Sequence, residues 1–334
     1  MADLAGKRVL VTGGAGFIGS HIIDLLVEEG CAAIVAVDDM VRGHPANLAA
    51  AMRRGPVRLV EGDVCDRPLM ASLVAASDIV FHQAALRITQ CAAEPRRAME
   101  VMVQATFDLL ESCAKHNIEK IIAASSASVY GMAEEFPTTE RQHPYGNRTL
   151  YGAAKVFNEG LLRTFNDTHG LKYVAFRYFN VYGPRMDIHG RYTEVLIRWM
   201  ERLAEGRRPI VFGDGQQTMD FVHVRDVARA NVLGAKSNAD DEVFNVASGT
   251  ETSLLELAER LGRAMRRNQL TPEFAPERSV NPVPRRLAST AKAEELLGFR
   301  AQISLDNGLR ELVEWWRFER DRFAPAAVDK AVAS

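Results

Sequence analysis

The chain has 334 residues, of which 47% are apolar and 25% charged, with a formal net charge of -2. That length holds one ordinary domain plus a smaller lobe around a sizeable core, and the near balance of charge excludes both a basic nucleic-acid surface and a disordered chain. Four cysteines without a CxxC pair and eight histidines without an HExxH pattern indicate neither a disulfide framework nor a bound metal. The first strand-like run, KRVLVT, begins at Lys7, leaving no room for a secretory leader. No apolar segment approaches the roughly 18 residues of a membrane span, so a soluble cytoplasmic protein without membrane or nucleic-acid partners is expected.

From Lys7 the chain alternates short apolar runs with helical patterns. KRVLVT is followed by a helix over about 17–29, then by AAIVAVDD, VRLVEGD and DIVFHQAA, a long helix over about 96–116, and KIIAASS. A helix over about 150–169 and the strand KYVAFRYFN complete the series. Strands apolar almost throughout, separated by helices, predict an α/β fold: a doubly wound parallel sheet covered on both faces. After Asn180 the rhythm breaks into Gly-, Pro- and Arg-rich loops, where a smaller, discontinuous C-terminal substrate lobe is expected. The domains predicted are 1–178, with 225–248 returning to it, against 179–224 and 249–320; the tail 321–334 reads as flexible.

In VTGGAGFIGSH, Gly13, Gly16 and Gly19 fall between a strand and a helix, where glycine lets the backbone approach a pyrophosphate. The free N-H groups of Phe17 and Ile18 at the helix N-terminus can bind it. Asp38, ending the second strand beside Asp39, would accept hydrogen bonds from an adenosine ribose and repel a 2'-phosphate, favouring NAD over NADP, a preference that Arg42 could soften. Asp63 and Val64 in EGDV suit the adenine rim, although Asp63 suits loop capping equally well. Downstream, Tyr151 and Lys155 stand four apart on one helix face, so phenol and ammonium can meet the same ligand. A tyrosine titrates near pKa ~10 and is a poor base at neutral pH unless nearby positive charge favours the phenolate.

With these motifs, and with FHQAA, SSASVYG, RYFNVYGPR, FGDGQQTMDFVHVRDVA and FNVASG, the sequence resembles the extended short-chain dehydrogenase/reductase family over about residues 7–318. The likeness is to its Rossmann-type nucleotide-sugar epimerases and dehydratases, including UDP-galactose and UDP-glucuronate 4-epimerases. Carried over residue by residue, it implies Ser126 as catalytic serine, Tyr151 as base, and Lys155 as the residue holding the nicotinamide ribose. It also implies Ala84, Ala85 and Arg87 along the NAD cofactor, Tyr178 and Val181 at its nicotinamide end, and Asn180, Ser128 and Val195 toward the substrate. In dimeric relatives the two long helices pair into a four-helix bundle, which implies a homodimer.

Reaction type turns on AASSASVYG. Dehydratases of this family resemble one another in carrying an acid and a base after the catalytic hydroxyl, and decarboxylases in carrying a glutamate nearby. Ala127 and Ser128 stand there instead, and neither relays a proton as a carboxylate does. The reading is therefore NAD-dependent 4-epimerisation of a nucleoside-diphosphate sugar, with a 4,6-dehydratase, a sugar-nucleotide reductase or a non-catalytic NAD-binding regulator as alternatives. Two residues depart from the pattern. Met102 replaces a frequent asparagine, and Met219 in QQTMDF replaces an arginine that relatives place on the substrate diphosphate. Phosphate binding then falls to other cations, for which Arg191, Arg278 and Arg285 are the candidates.

Overall fold

The computed structural model describes residues 3–188, 194–276 and 283–323. The first half of the nucleotide-type fold runs β1 (Arg8–Thr12), α1 (Phe17–Glu28), β2 (Ala33–Asp38), α2 (Ala49–Arg54), β3 (Val57–Glu61), α3 (Arg67–Ala75) and β4 (Ile79–His82). The second runs α4 (Ile88–Ala93), α5 (Pro95–Met99), α6 (Ala105–Lys115), β5 (Lys120–Ser126), α7 (Leu150–His169) and β6 (Tyr173–Tyr178). Next come β7 (Asn180–Tyr182), α8 (Val195–Ala204), β8 (Ile210–Phe212), β9 (Thr218–His223), α9 (Val224–Lys236) and β10 (Glu242–Val246). The chain closes with β11 (Glu251–Ser253), α10 (Leu254–Met265), β12 (Glu273–Ala275), α11 (Ala291–Leu297) and α12 (Leu305–Phe323).

Seven strands form one parallel sheet in the order β10-β6-β5-β4-β1-β2-β3. Both faces are buried, so alternate residues of a strand enter different cores. Val9 and Val11 pack with Ile22 and Ile23 of α1 and Val227 and Ala230 of α9, whereas Leu10 between them packs with Leu73, Leu109 and Leu162 on the other face. The same alternation recurs in β6, with Val174 and Phe176 on the first face and Tyr173 and Ala175 on the second. Strand order reverses between β1 and β4, and the crevice beyond their carboxyl ends is where an open α/β sheet offers a ligand site.

The smaller strands make a three-stranded sheet, β11-β9-β7, and a two-stranded one, β12-β8. Their core joins Trp199 and Met200 of α8, Leu257 and Leu261 of α10, and Leu312 and Trp316 of α12. Trp315 packs against its edge.

The helix predicted over 96–116 runs without a gap from Pro95 to Lys115 but is not α throughout. Between α5 and α6, Glu100–Gln104 forms a π turn, with the Ala105 amide bonded to the Glu100 carbonyl. The Met102 carbonyl is taken by two side chains, Thr106 Oγ1 at 2.9 Å and Asn158 Nδ2 at 2.8 Å, and this competition loosens the α ladder locally. Helix α7 keeps its expected span because both ends are defined. Thr149 accepts from the Gly152 amide at 3.1 Å, and Gly170 closes the helix in the left-handed region at φ 67°.

Candidate active site

At the sheet's reversal point a cavity of about 1870 Å³ opens, walled by the turn after β1, the segment after β4, the end of β5 and the smaller lobe. Gly13 takes φ 64°, and a Cβ there would lie 2.9 Å from the Ala84 amide nitrogen. A Cβ on Gly19 would lie 2.2 Å from the Gly13 carbonyl oxygen, so α1 can approach the turn this closely only with glycine at that position. No side chain caps α1 at Gly16, which leaves the first amides of the helix, those of Phe17 and Ile18 among them, facing the cavity. Thr12 Oγ1 holds the opposite wall, accepting from the Gln83 and Ala84 amides at 3.2 and 3.1 Å.

Asp38 is buried below this turn and accepts from the Ala15 and Met40 amides, each at 3.0 Å. Burial raises its carboxyl above the usual carboxylate value, while these amides act in the opposite direction. Asp39 and Val64 line the cavity. Asp63 serves the loop instead: it accepts from the Cys65 amide at 2.9 Å and pairs with Arg97. Arg42 does not turn toward Asp38. Its Nε lies 3.7 Å from Asp187, and the guanidinium shares the pocket with Arg87, which lies 3.6 Å from Glu194. Ala85, Tyr178 and Val181 complete this wall, with the Tyr178 hydroxyl 3.0 Å from Gln83 Oε1 and 2.9 Å from Asn231 Oδ1.

The structure brings Ser126 and Tyr151 to the same cavity, near enough for the serine hydroxyl to favour the phenolate. Ser126 ends β5 and accepts from the Ser128 amide at 3.1 Å, which starts a short turn over Ala127–Val129. Helix α7 comes close because Gly152 has no side chain: a Cβ there would meet the Ser128 carbonyl oxygen at 2.6 Å. Sequence spacing led to the expectation of a phenol made acidic by Lys155. The ligand-free geometry differs. Burial pushes Tyr151 up to about 12, opposed by its Ser126 hydrogen bond and by Arg42. Lys155 Nζ donates to the Ala124 carbonyl at 2.6 Å, 5.9 Å from the Tyr151 ring centre, and burial pushes it down to about 8. The ammonium is thus beneath the ring, on the sheet side of the wall, rather than on the cavity surface.

Behind Ser126 lies a buried polar chain that sequence reasoning did not find. Ser125 Oγ donates to Glu159 at 2.5 Å, Glu159 pairs with Arg177 at 2.6 Å, and Arg177 donates to the Tyr130 hydroxyl at 3.0 Å. Tyr130 in turn donates to Asn245 at 2.6 Å. The signal available was Glu159 four residues beyond Lys155 on the same helix face. His82 is a buried packed residue between Thr12 Oγ1 at 2.8 Å and Thr106 Oγ1 at 3.1 Å, and burial pushes its pKa down to about 3.

At the far end, Ser128, Asn180, Val195 and Met219 line the cavity. Arg191 and Arg278 lie outside the described residues. Arg285 is not brought to the cavity. It pairs with Glu251 at 2.8 Å on the exposed side and stacks on Phe136. Its neighbour Arg286 points inward instead, lining the cavity with Nη1 donating to the Ala127 carbonyl at 2.7 Å. The segment pairs with Thr218 in extended form, so adjacent side chains take opposite sides.

Comparisons with known proteins agree with this geometry. The chain is 35% identical over 313 residues to the UDP-glucose 4-epimerase of Mycolicibacterium smegmatis, covering 93% of this chain and 98% of the relative. The solved UDP-glucose 4-epimerase of Thermotoga maritima with UDP-glucose superposes with a TM-score of 0.87 at 34% identity, covering 93% of this chain and 99% of that one. The dTDP-glucose 4,6-dehydratase of Streptomyces venezuelae, solved with NAD bound, also gives a TM-score of 0.87, at 27% identity over 95% of this chain and 99% of its own. Residues 9–247, from β1 to the first residue after β10, match the model of the NAD dependent epimerase/dehydratase family, and the chain belongs to that family.

Proposed function

We propose that the protein is an NAD-dependent epimerase that inverts C4 of a nucleoside-diphosphate sugar through a transient 4-keto sugar. The residues present fit the cofactor: a glycine turn that a Cβ would obstruct, uncapped amides at the start of α1, and a carboxylate at the end of β2. Gly13, Gly16, Phe17, Ile18, Gly19, Asp38, Asp39, Val64, Ala84, Ala85, Arg87, Tyr178 and Val181 would hold it, with Arg42 and Lys155 adjoining. When bound, NAD accepts hydride from C4 and returns it.

The observation that carries the reading is that Ser126 and Tyr151 line one cavity wall together, with Ala127 and Ser128 rather than carboxylates following the serine. Tyr151 takes the proton of the 4-hydroxyl and later gives it back. Ser126 donates to the same oxygen as it becomes a carbonyl. Lys155 supplies positive charge beneath the phenol. Ser128, Asn180 and Val195 face the sugar nucleotide, 1–178 with 225–248 forming the cofactor domain and 179–224 with 249–320 the substrate lobe.

A cytoplasmic enzyme of carbohydrate metabolism supplying polysaccharide biosynthesis is the setting proposed; among the described residues no helix is long and apolar enough to cross a membrane. A homodimer is proposed through the α5–α7 face, where Met99, Phe107 and Phe157 are exposed. Chromatography of UDP-, dTDP-, GDP- and CDP-sugars incubated with the purified protein tests the function. An epimer formed without added NAD is expected, and a deoxy-keto product would overturn the reading.

A further inference from the structure

We propose that Arg286 is the counter-ion for a carboxylate carried by the sugar, so that the preferred substrate is a nucleoside-diphosphate uronic acid; this rests on the epimerase reading above. Arg286 is 9% exposed, and its own amide is fixed to the Thr218 carbonyl at 2.9 Å, which sets the side chain inward. Nη1 donates to the carbonyl of Ala127, the residue between Ser126 and Ser128. Arg286 lines the cavity, and a guanidinium fork carries donors beyond the one given to Ala127.

Four other arginines at the cavity each have a carboxylate within ion-pair distance, although Arg42 Nε and Arg185 Nη1 have no hydrogen-bond partner among the described residues. Arg42 faces Asp187, Arg87 faces Glu194, Arg97 faces Asp63 and Arg185 faces Asp24. No carboxylate among the described residues pairs with Arg286, and burial alone pushes it down to about 10, so it keeps its charge at neutral pH. A buried guanidinium with one carbonyl for company is costly unless an anion completes it.

Position selects which anion. Ser126 shares the cavity wall with Tyr151, the phenol proposed to act at C4, and Ala127 follows Ser126 directly. In a pyranose, C5 is bonded to C4 and carries C6, whereas C1, bearing the diphosphate, lies across the ring. A cation anchored one residue from Ser126 therefore lies toward the C4 end of the ring, where C3 bears a neutral hydroxyl and only C6 can carry an anion. A guanidinium fork also matches a carboxylate in a planar, two-point fashion.

The test is calorimetric binding of UDP-glucuronate, UDP-glucose and UDP to the NAD-loaded protein and to Arg286→Met, with product analysis of the two sugars. Wild type should bind UDP-glucuronate about 100-fold tighter than UDP-glucose. Arg286→Met should lose about that factor for the uronate alone, leaving UDP-glucose and UDP within about twofold. Equal loss for all three ligands would place Arg286 on the diphosphate and overturn the assignment. So would a wild-type protein that prefers UDP-glucose or binds neither sugar, an outcome that needs no variant to fold. Tight uronate binding without any epimer would keep the carboxylate site and overturn the epimerase reading instead.

Discussion

Tyr151 sits in a site that holds its proton: burial pushes it up to about 12, and the Ser126 hydroxyl offsets this only in part. A base in that state works only when a bound cation lowers its pKa, which ties proton transfer to an occupied nicotinamide site. Tyr151→Phe should therefore lower kcat by about 10³-fold. Binding of NAD, followed by fluorescence titration, should be unchanged, and substantial retained turnover would remove Tyr151 from the mechanism. The i to i+4 spacing made Tyr151 and Lys155 legible as a pair facing one ligand, whereas Ser126 was implied by the family resemblance alone. What spacing could not reveal is the partner each side chain takes. Lys155 goes to the Ala124 carbonyl, and Arg286 rather than Arg285 enters the cavity, because each depends on a backbone group distant in sequence.

At the scale of elements, the departure at Met102 acquires a physical account. Its sulfur lies 3.2 Å from the Leu86 amide, and the residue is buried in the π turn against Cys91, Ala98 and Ala154. It thus links the turn to the segment carrying Ala84 and Ala85. Met102→Ala should destabilise the protein by about 3 kcal/mol, the usual range for emptying a buried methionine site. Urea unfolding monitored by circular dichroism checks this, and a change within about 0.5 kcal/mol would mean that the thioether is dispensable. Periodicity predicted one helix here, since the apolar stripe continues through the π turn. The interruption arises from Thr106 and Asn158 competing for one carbonyl, and Asn158 lies on another helix. The strands were easier to read, because a sheet buried on both faces leaves near-continuous apolar runs.

At the scale of the whole molecule, three histidines are buried among the described residues, His21, His82 and His223, pushed down to about 3, about 3 and about 4, in each case mainly by burial. The unfolded chain binds protons at these rings below about pH 6.5 while the folded one does not, so unfolding takes up protons and stability falls as pH falls. The window runs from about 6.5 down to the folded values, with a slope of up to about 1.4 kcal/mol per pH unit for each ring. Unfolding free energies measured from pH 7 to pH 4.5 should decline steadily, and a flat profile would contradict neutral burial. The parallel sheet covered on both faces was legible from alternation of strands and helices, whereas its strand order and the strands inside the smaller lobe were not. Its strands of three residues carry too little pattern to be read without their neighbours.

The central claim is that hydride leaves C4 and returns to C4 within one molecule. It is tested most directly by a UDP-sugar deuterated at C4, incubated with the protein without added NAD and analysed by NMR. The account predicts an epimer with inverted C4 that still carries the deuterium there. Deuterium found at C6 of a deoxy-keto sugar, or released as free reduced cofactor, would contradict it.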